Sequence, residues 1–228
     1  MSKRRKPQPR PFSIKPPAAE DEQPFMELLA LADPDAPEPY AAVRVLLARG
    51  PQGPLSHGIT LLLAARKNGR IIGVLNVSVP EWVVTHPGIP DEGGRGLLAR
   101  SIAHVHGIAV HPDHRRRGVA RALLEQARKR LADAGHLLLS LEHGEDLADF
   151  YRRLGFTTVG QLTIHTPGPL LTQPPSPGLA IAVQPISGRV RLCQVPGTAD
   201  PIVEGLVGPY RVPANAVFLP GRGLFTPQ

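Results

Sequence analysis

The run HVHGIAVHPDHRRRGVA, His104 to Ala120, holds four histidines and three consecutive arginines. Side chains two apart on a strand leave on the same face, so His104 and His106 would stand side by side. Imidazole titrates near neutrality, which suits such a pair to accept a proton. A few residues on, RRRGVA (Arg115 to Ala120) combines positive charge, a glycine and a helix start. Together these can present converging amide donors and positive potential to a nucleotide diphosphate. Three other readings stay open: packed strand histidines, a plain helix cap, and a metal set completed by His111 or His114. The only carboxylate in the run is Asp113 and it contains no thiolate, so no metal is expected.

These residues need a strand and a helix to hold them. SIAHVHGIAV (101–110) reads as a strand, HPDH as a turn, and GVARALLEQARKRLADAG as a helix with Val119, Leu123, Leu124, Ala127 and Leu131 on one side. Upstream, FSIK suits a short strand, and EDEQPFMELLALA and EPYAAVRVLLARG suit helices, the second ending at Gly50. Asn68-Gly69 between two apolar runs is a hairpin signal. HPGIPDEGGRG (86–96) reads as a loop that reaches over a site, with Asp91 and Glu92 exposed on it. Beyond the long helix, HLLLSLEH reads as a strand, EDLADFYRRLG as a helix stopped by Gly155, and FTTVGQLTIHT as a further strand. LAIAVQPI is expected to complete the sheet, and the last forty or so residues carry no motif or repeat.

Composition sets the outer bounds. The chain has 228 residues, 42% hydrophobic and 20% charged, a balance that supports a buried core. Its +7 charge is local: the first ten residues carry five basic groups and no acid, and without them and Arg115–Arg117 the body stands at −1. Nucleic acid is therefore not the expected partner. No apolar stretch reaches membrane-spanning length and no h-region follows the basic start, so a cytoplasmic location is expected. Cys193 is the sole cysteine, which rules out an internal disulfide. With neither a nucleophile elbow nor a Ser-His-Asp spacing in the chain, a covalent acyl-enzyme is not expected.

The order of strand, R-x-x-G-x-A loop, helix, strand and FYRRLGF helix resembles the GNAT superfamily of acetyl-CoA-dependent N-acetyltransferases, over residues 11 to 166 and most specifically over 102 to 156. The resemblance implies an α/β (α+β) GNAT fold with a mixed, mostly antiparallel central sheet flanked by helices. A basic tail (1–10) would precede the domain (11–166), and a Pro/Gly-rich extension (167–228) would follow it. It implies acetyl-CoA as cosubstrate, held by the loop at Arg115, Arg116, Arg117, Gly118, Val119 and Ala120, with the pantetheine arm along the main chain of Ile108, Ala109 and Val110. Tyr151 matches the tyrosine that in many members protonates the departing thiolate.

Attack on a thioester also needs a neutral amine, so a base must take the ammonium proton. His104 and His106 fill that role, with Glu81 and Glu142 as alternatives. The H-x-H strand is most similar to the arylalkylamine (serotonin-type) N-acetyltransferases, which implies a small primary amine as acceptor. An antibiotic amine, a peptide N-terminus, and a non-catalytic acyl-CoA-binding or nucleic-acid-associated module remain alternatives. The oligomeric state, a homodimer included, stays open.

Overall fold

The computed structural model describes residues 11–33, 41–53, 55, 59–89 and 91–227. The expected basic tail at 1–10 lies outside them, as does the expected helical turn at 38–40. Two compact units are present: Met1–Asn76 with Gly107–Gln126, and Val77–His106 with Ala127–Gln228.

In the first unit, β1 (Ser13–Lys15) is followed by α1 (Glu22–Leu29), α2 (Ala41–Arg49), β2 (Leu61–Lys67) and β3 (Arg70–Ser78), whose last two residues pass into the second unit. β1 pairs antiparallel with β2, Ile14 opposite Ala65. The β2 run LLLAA is buried on both faces, so it reads as continuous apolar sequence without alternation. Asn68 (φ 51°) and Gly69 (φ 78°) are consecutive left-handed residues, the backbone a two-residue hairpin turn requires. Phe25 and Leu29 of α1 and Leu47 of α2 pack with Leu62, Val74 and Ala109 in one apolar cluster. Asp21, just before α1, accepts from the Ala18 amide (2.7 Å) and from the Arg66 guanidinium, which ties the entry to α1 onto β2.

The second unit carries α3 (Glu81–Thr85), α4 (Glu92–Ser101) and the first five residues of β4 (Ile102–Val110). α5 (Val119–Asp133) begins in the first unit and ends in the second. After it come β5 (Leu138–His143), α6 (Ala148–Arg152), β6 (Thr157–Val159), β7 (Leu162–Ile164), β8 (Leu171–Gln173), β9 (Ala180–Pro185), β10 (Arg191–Cys193), β11 (Ile202–Glu204), β12 (Val217–Leu219) and β13 (Gly223–Phe225). Strand pairing gives a seven-stranded sheet β1-β2-β3-β4-β5-β9-β6, a four-stranded sheet β10-β11-β7-β8 and the pair β12-β13. β4 and β5 are parallel, with Ile102–Val105 beside Leu138–Leu141. β9 runs antiparallel to β5 along its whole length and also pairs with β6, so it lies between these two strands in the sheet. The remaining forty or so residues contribute β10 to β13.

Three local expectations need correction. Residues 92–96 form the first turns of α4 and not a loop. Asp91 caps that helix by accepting from the Gly94 amide at 2.6 Å, Arg95 donates to the carbonyls of Val84 and Ile89, and Leu98 is buried. A good cap contributes about 1 kcal/mol, which offsets the cost of roughly one helical glycine. FTTVGQLTIHT is two strands in two sheets, because the amides of Gly160 and Gln161 turn out to donate to Asp200 at 3.0 and 3.1 Å. EDLADFYRRLG begins with a tight 3-10 turn at Glu145–Leu147, so α6 is only five residues long before Gly155 (φ 87°) ends it.

Candidate active site

β4 presents alternate residues to opposite environments. Val105, Gly107 and Ala109 are buried, whereas His104, His106, Ile108 and Val110 keep part of their surface. The two imidazoles therefore share a face, as their spacing predicts, with ring centroids 5.0 Å apart and planes at 69°. His104 Nδ1 lies 3.0 Å from Ser140 Oγ on β5, and His106 Nε2 lies 3.1 Å from the Val79 carbonyl. A carbonyl only accepts, so His106 donates through Nε2–H.

Desolvation is the main influence on both rings. It lowers the pKa of His104 to about 3, helped by repulsion from His106. It also lowers that of His106, against the Val79 hydrogen bond and the Glu81 charge, which pull the other way. Both imidazoles are thus neutral at pH 7, the form that takes up a proton.

Tyr151 on α6 is 5% exposed. Burial first, and the Asp146 charge second, push its phenol up to about 12, so it keeps its proton at any physiological pH. Its ring lies 5.2 Å from that of His143 and also touches Phe150 and Phe156. Glu142, the other carboxylate considered as a base, accepts from the Ser176 amide at 3.0 Å. Glu81 stands in the first turn of α3, within electrostatic reach of His106. Asp91 is occupied by its cap.

In the first unit, the end of β4 is fastened to β3 by the His111 amide donating to Ile72 O at 3.0 Å. Gly73 of β3 lets α5 approach closely: a Cβ there would lie 2.7 Å from Val119 Cγ1 and 3.3 Å from Leu123 Cδ1. Pro112–His114 form a 3-10 turn, after which Arg116 (φ 60°) and Gly118 (φ 78°) are both left-handed. Alternation of left-handed residues turns successive amides toward one side, and the first-turn amides of α5 have no partner within the helix. Arg115 Nε donates to Val110 O at 3.1 Å, so this guanidinium braces the turn, while Arg116 and Arg117 are exposed. Val119 is buried at the helix start and Ala120 is partly exposed. The donor set suits a diphosphate. Among the described residues no three His, Cys, Asp or Glu side chains gather as a metal set.

Sequence reasoning missed Ser140 and Val79. A serine inside the otherwise apolar run LLLSL was the available signal, because a polar group buried in a core strand needs a partner. Val79 contributes only its carbonyl, which side-chain types do not reveal.

The model of a family described as the acetyltransferase (GNAT) family matches residues 24–156. N-acetyltransferase Eis of Mycobacterium tuberculosis (strain ATCC 25177 / H37Ra) is 30% identical over 156 residues, 64% of this chain and 33% of the relative, and Eis of Mycobacterium bovis (strain BCG / Pasteur 1173P2) gives the same values. The chain thus matches about a third of the length of these curated relatives. Among solved structures, the ribosomal-protein-S18-alanine N-acetyltransferase of Escherichia coli aligns with a TM-score of 0.50 at 21% identity, covering 77% of this chain and 94% of that one. The Salmonella typhimurium protein yncA, solved with its cofactor acetyl-CoA, aligns at 0.51 and 17%, covering 78% and 95%. At these identities the structural likeness speaks for the fold alone.

Proposed function

The chain belongs to the GNAT acetyltransferase family, and from that premise we propose that it moves the acetyl group of acetyl-CoA directly to a primary amine of a small molecule. The observation that carries this reading is the pair of imidazoles packed edge to face on β4, the strand whose chain runs on into the Arg116–Gly118 turn.

Acetyl-CoA, when bound, supplies the acetyl thioester. The amides around Gly118, with Arg116 and Arg117, would hold its diphosphate, and main-chain groups of Ile108 to Val110 would accompany the pantetheine arm. The acceptor reaches the site as an ammonium ion, and His106 or His104 takes its proton. The amine nitrogen bonds to the carbonyl carbon, the carbon–sulfur bond breaks, and Tyr151 O–H gives its proton to the departing thiolate. Products are an acetamide and coenzyme A: the acetylated nitrogen loses its remaining extra proton, which resets the tyrosine through solvent, and the proton held by imidazole is released to solvent. A phenol held near pKa 12 is a weak acid, and a thiolate leaving a thioester needs little help.

An arylalkylamine is the first acceptor to test, because the H-x-H strand carries that resemblance; antibiotic amines and peptide N-termini come next. The same reading places residues 11–166 as the catalytic domain, 167–228 as an extension supplying β9, and the protein in the cytoplasm. Coenzyme A release, followed with a thiol reagent across a panel of these amines, tests the proposal. A saturable rate with at least one amine supports it, and no release above the hydrolytic background with any of them overturns it.

A further inference from the structure

Ser140 sits on β5 directly beside His104, 2% exposed, in a run of leucines. Its oxygen makes two contacts: 3.0 Å to His104 Nδ1 and 3.3 Å to the Ala103 carbonyl. A hydroxyl has one hydrogen, and a carbonyl has none to give. Both contacts are therefore hydrogen bonds in only one arrangement, in which Ser140 donates to Ala103 O and accepts from His104 Nδ1–H. If Ser140 instead donated to a bare Nδ1, the Ala103 contact would lack a hydrogen altogether.

We propose that Ser140 is a positioning residue that locks His104 in the Nδ1–H tautomer and leaves Nε2 as the only lone pair with which that ring can accept a proton. The neighbouring ring is fixed the opposite way, since His106 Nε2 donates to Val79 O. The two imidazoles, packed edge to face, thus carry their hydrogens on different ring atoms and present different acceptor atoms. A backbone carbonyl sets one ring, and the Ser140 hydroxyl sets the other. Because the lock is built from a buried strand serine and a main-chain oxygen, it is part of the sheet and does not wait for substrate.

The inference rests on the acetyl-transfer reading for its consequence, but the tautomer can be read without turnover. Nitrogen-15 spectra of the full-length protein labelled in its imidazoles, assigned with His104→Gln, should show Nδ1–H for His104 at pH 7. In Ser140→Ala that signature should become a mixture, whereas Ser140→Thr, which keeps the hydroxyl, should retain it. Turnover by Ser140→Ala should fall about tenfold, the rate equivalent of one net hydrogen bond. Its KM for acetyl-CoA should hold, and the threonine variant should recover most of the loss. An Nε2–H signature for His104 in the wild type overturns the lock outright. A tautomer mixture in Ser140→Ala with unaltered kcat leaves the lock standing and overturns its catalytic use. Should His104→Gln also turn over normally, the role of that imidazole in transfer falls instead.

Discussion

His104, His106 and Tyr151 are each held in the neutral form chiefly by removal from water, which leaves the imidazoles without a proton and the phenol with one, and makes each a weaker base or acid than it is in water. The imidazoles start neutral and able to accept; the phenol starts protonated and able to donate. His104 and His106 were singled out by their type and their two-residue spacing on a strand, and Tyr151 by the family resemblance of FYRRLGF. What fixes their state was not legible. Val79 acts through a carbonyl that any residue has, and Ser140 becomes informative only once β5 lies beside β4. Tyr151→Phe keeps the ring, and with it the contacts to His143 and Phe156, but loses the acid. Its kcat should drop about tenfold or more, the low end of general-acid contributions, with the KM for acetyl-CoA unchanged. Steady-state kinetics at pH 7 check this, and an unaltered kcat would return Tyr151 to the core.

At the scale of elements, the sequence was most readable where one signal dominated: the Asn68-Gly69 hairpin, the α5 apolar stripe, the glycine stops at Gly50 and Gly155. It misled where two signals competed. Three glycines in 92–96 argued for a loop, yet Asp91 was also present as a cap, and the tertiary contacts of Arg95 and Leu98 decided for helix. Residues 156–166 read as one strand, but the turn at Gly160 depends on Asp200, forty residues away. The turn before α5 makes its own prediction. Nothing lies within 4 Å of where a Cβ at Gly118 would be, so the glycine is needed for its φ of 78° and not for space. Gly118→Ala should therefore cost about 1–2 kcal/mol if the backbone holds its shape, or flatten the turn and scatter its amides. In the first case the melting temperature falls and acetyl-CoA affinity holds; in the second, calorimetry should show weaker acetyl-CoA binding, and an unaltered melting temperature with wild-type affinity would contradict both.

For the whole molecule, the buried histidines make stability depend on pH. His104, His106, His136 and His165 all have folded pKa values below the usual 6.5, each chiefly through desolvation. Between the folded and unfolded values the unfolded chain holds more protons, so stability rises with pH there. The contribution is complete above pH 6.5 and drains away as pH falls, toward about 3 for His104. Melting temperature should accordingly fall as pH drops from 7 to 4, and His104→Gln should flatten part of that slope. A slope identical in that variant would remove His104 as its source. Catalysis should lose its base over the acid side of the same range, with a midpoint below 6.5.

In the proposed reaction an amine acquires the acetyl group directly, with the paired imidazoles taking its proton. The most direct measurement follows acetyl-amine by mass spectrometry and free thiol together, from one acetyl-CoA supply, in the wild type and in His104→Gln/His106→Gln. Direct transfer releases one thiol per amine acetylated in the wild type. The double variant should lose at least a hundredfold, in line with the loss of a general base, while acetyl-CoA still raises the melting temperature of both proteins. A double variant that acetylates the amine at the wild-type rate, or a wild type that neither binds acetyl-CoA nor releases thiol, would contradict the proposed reaction.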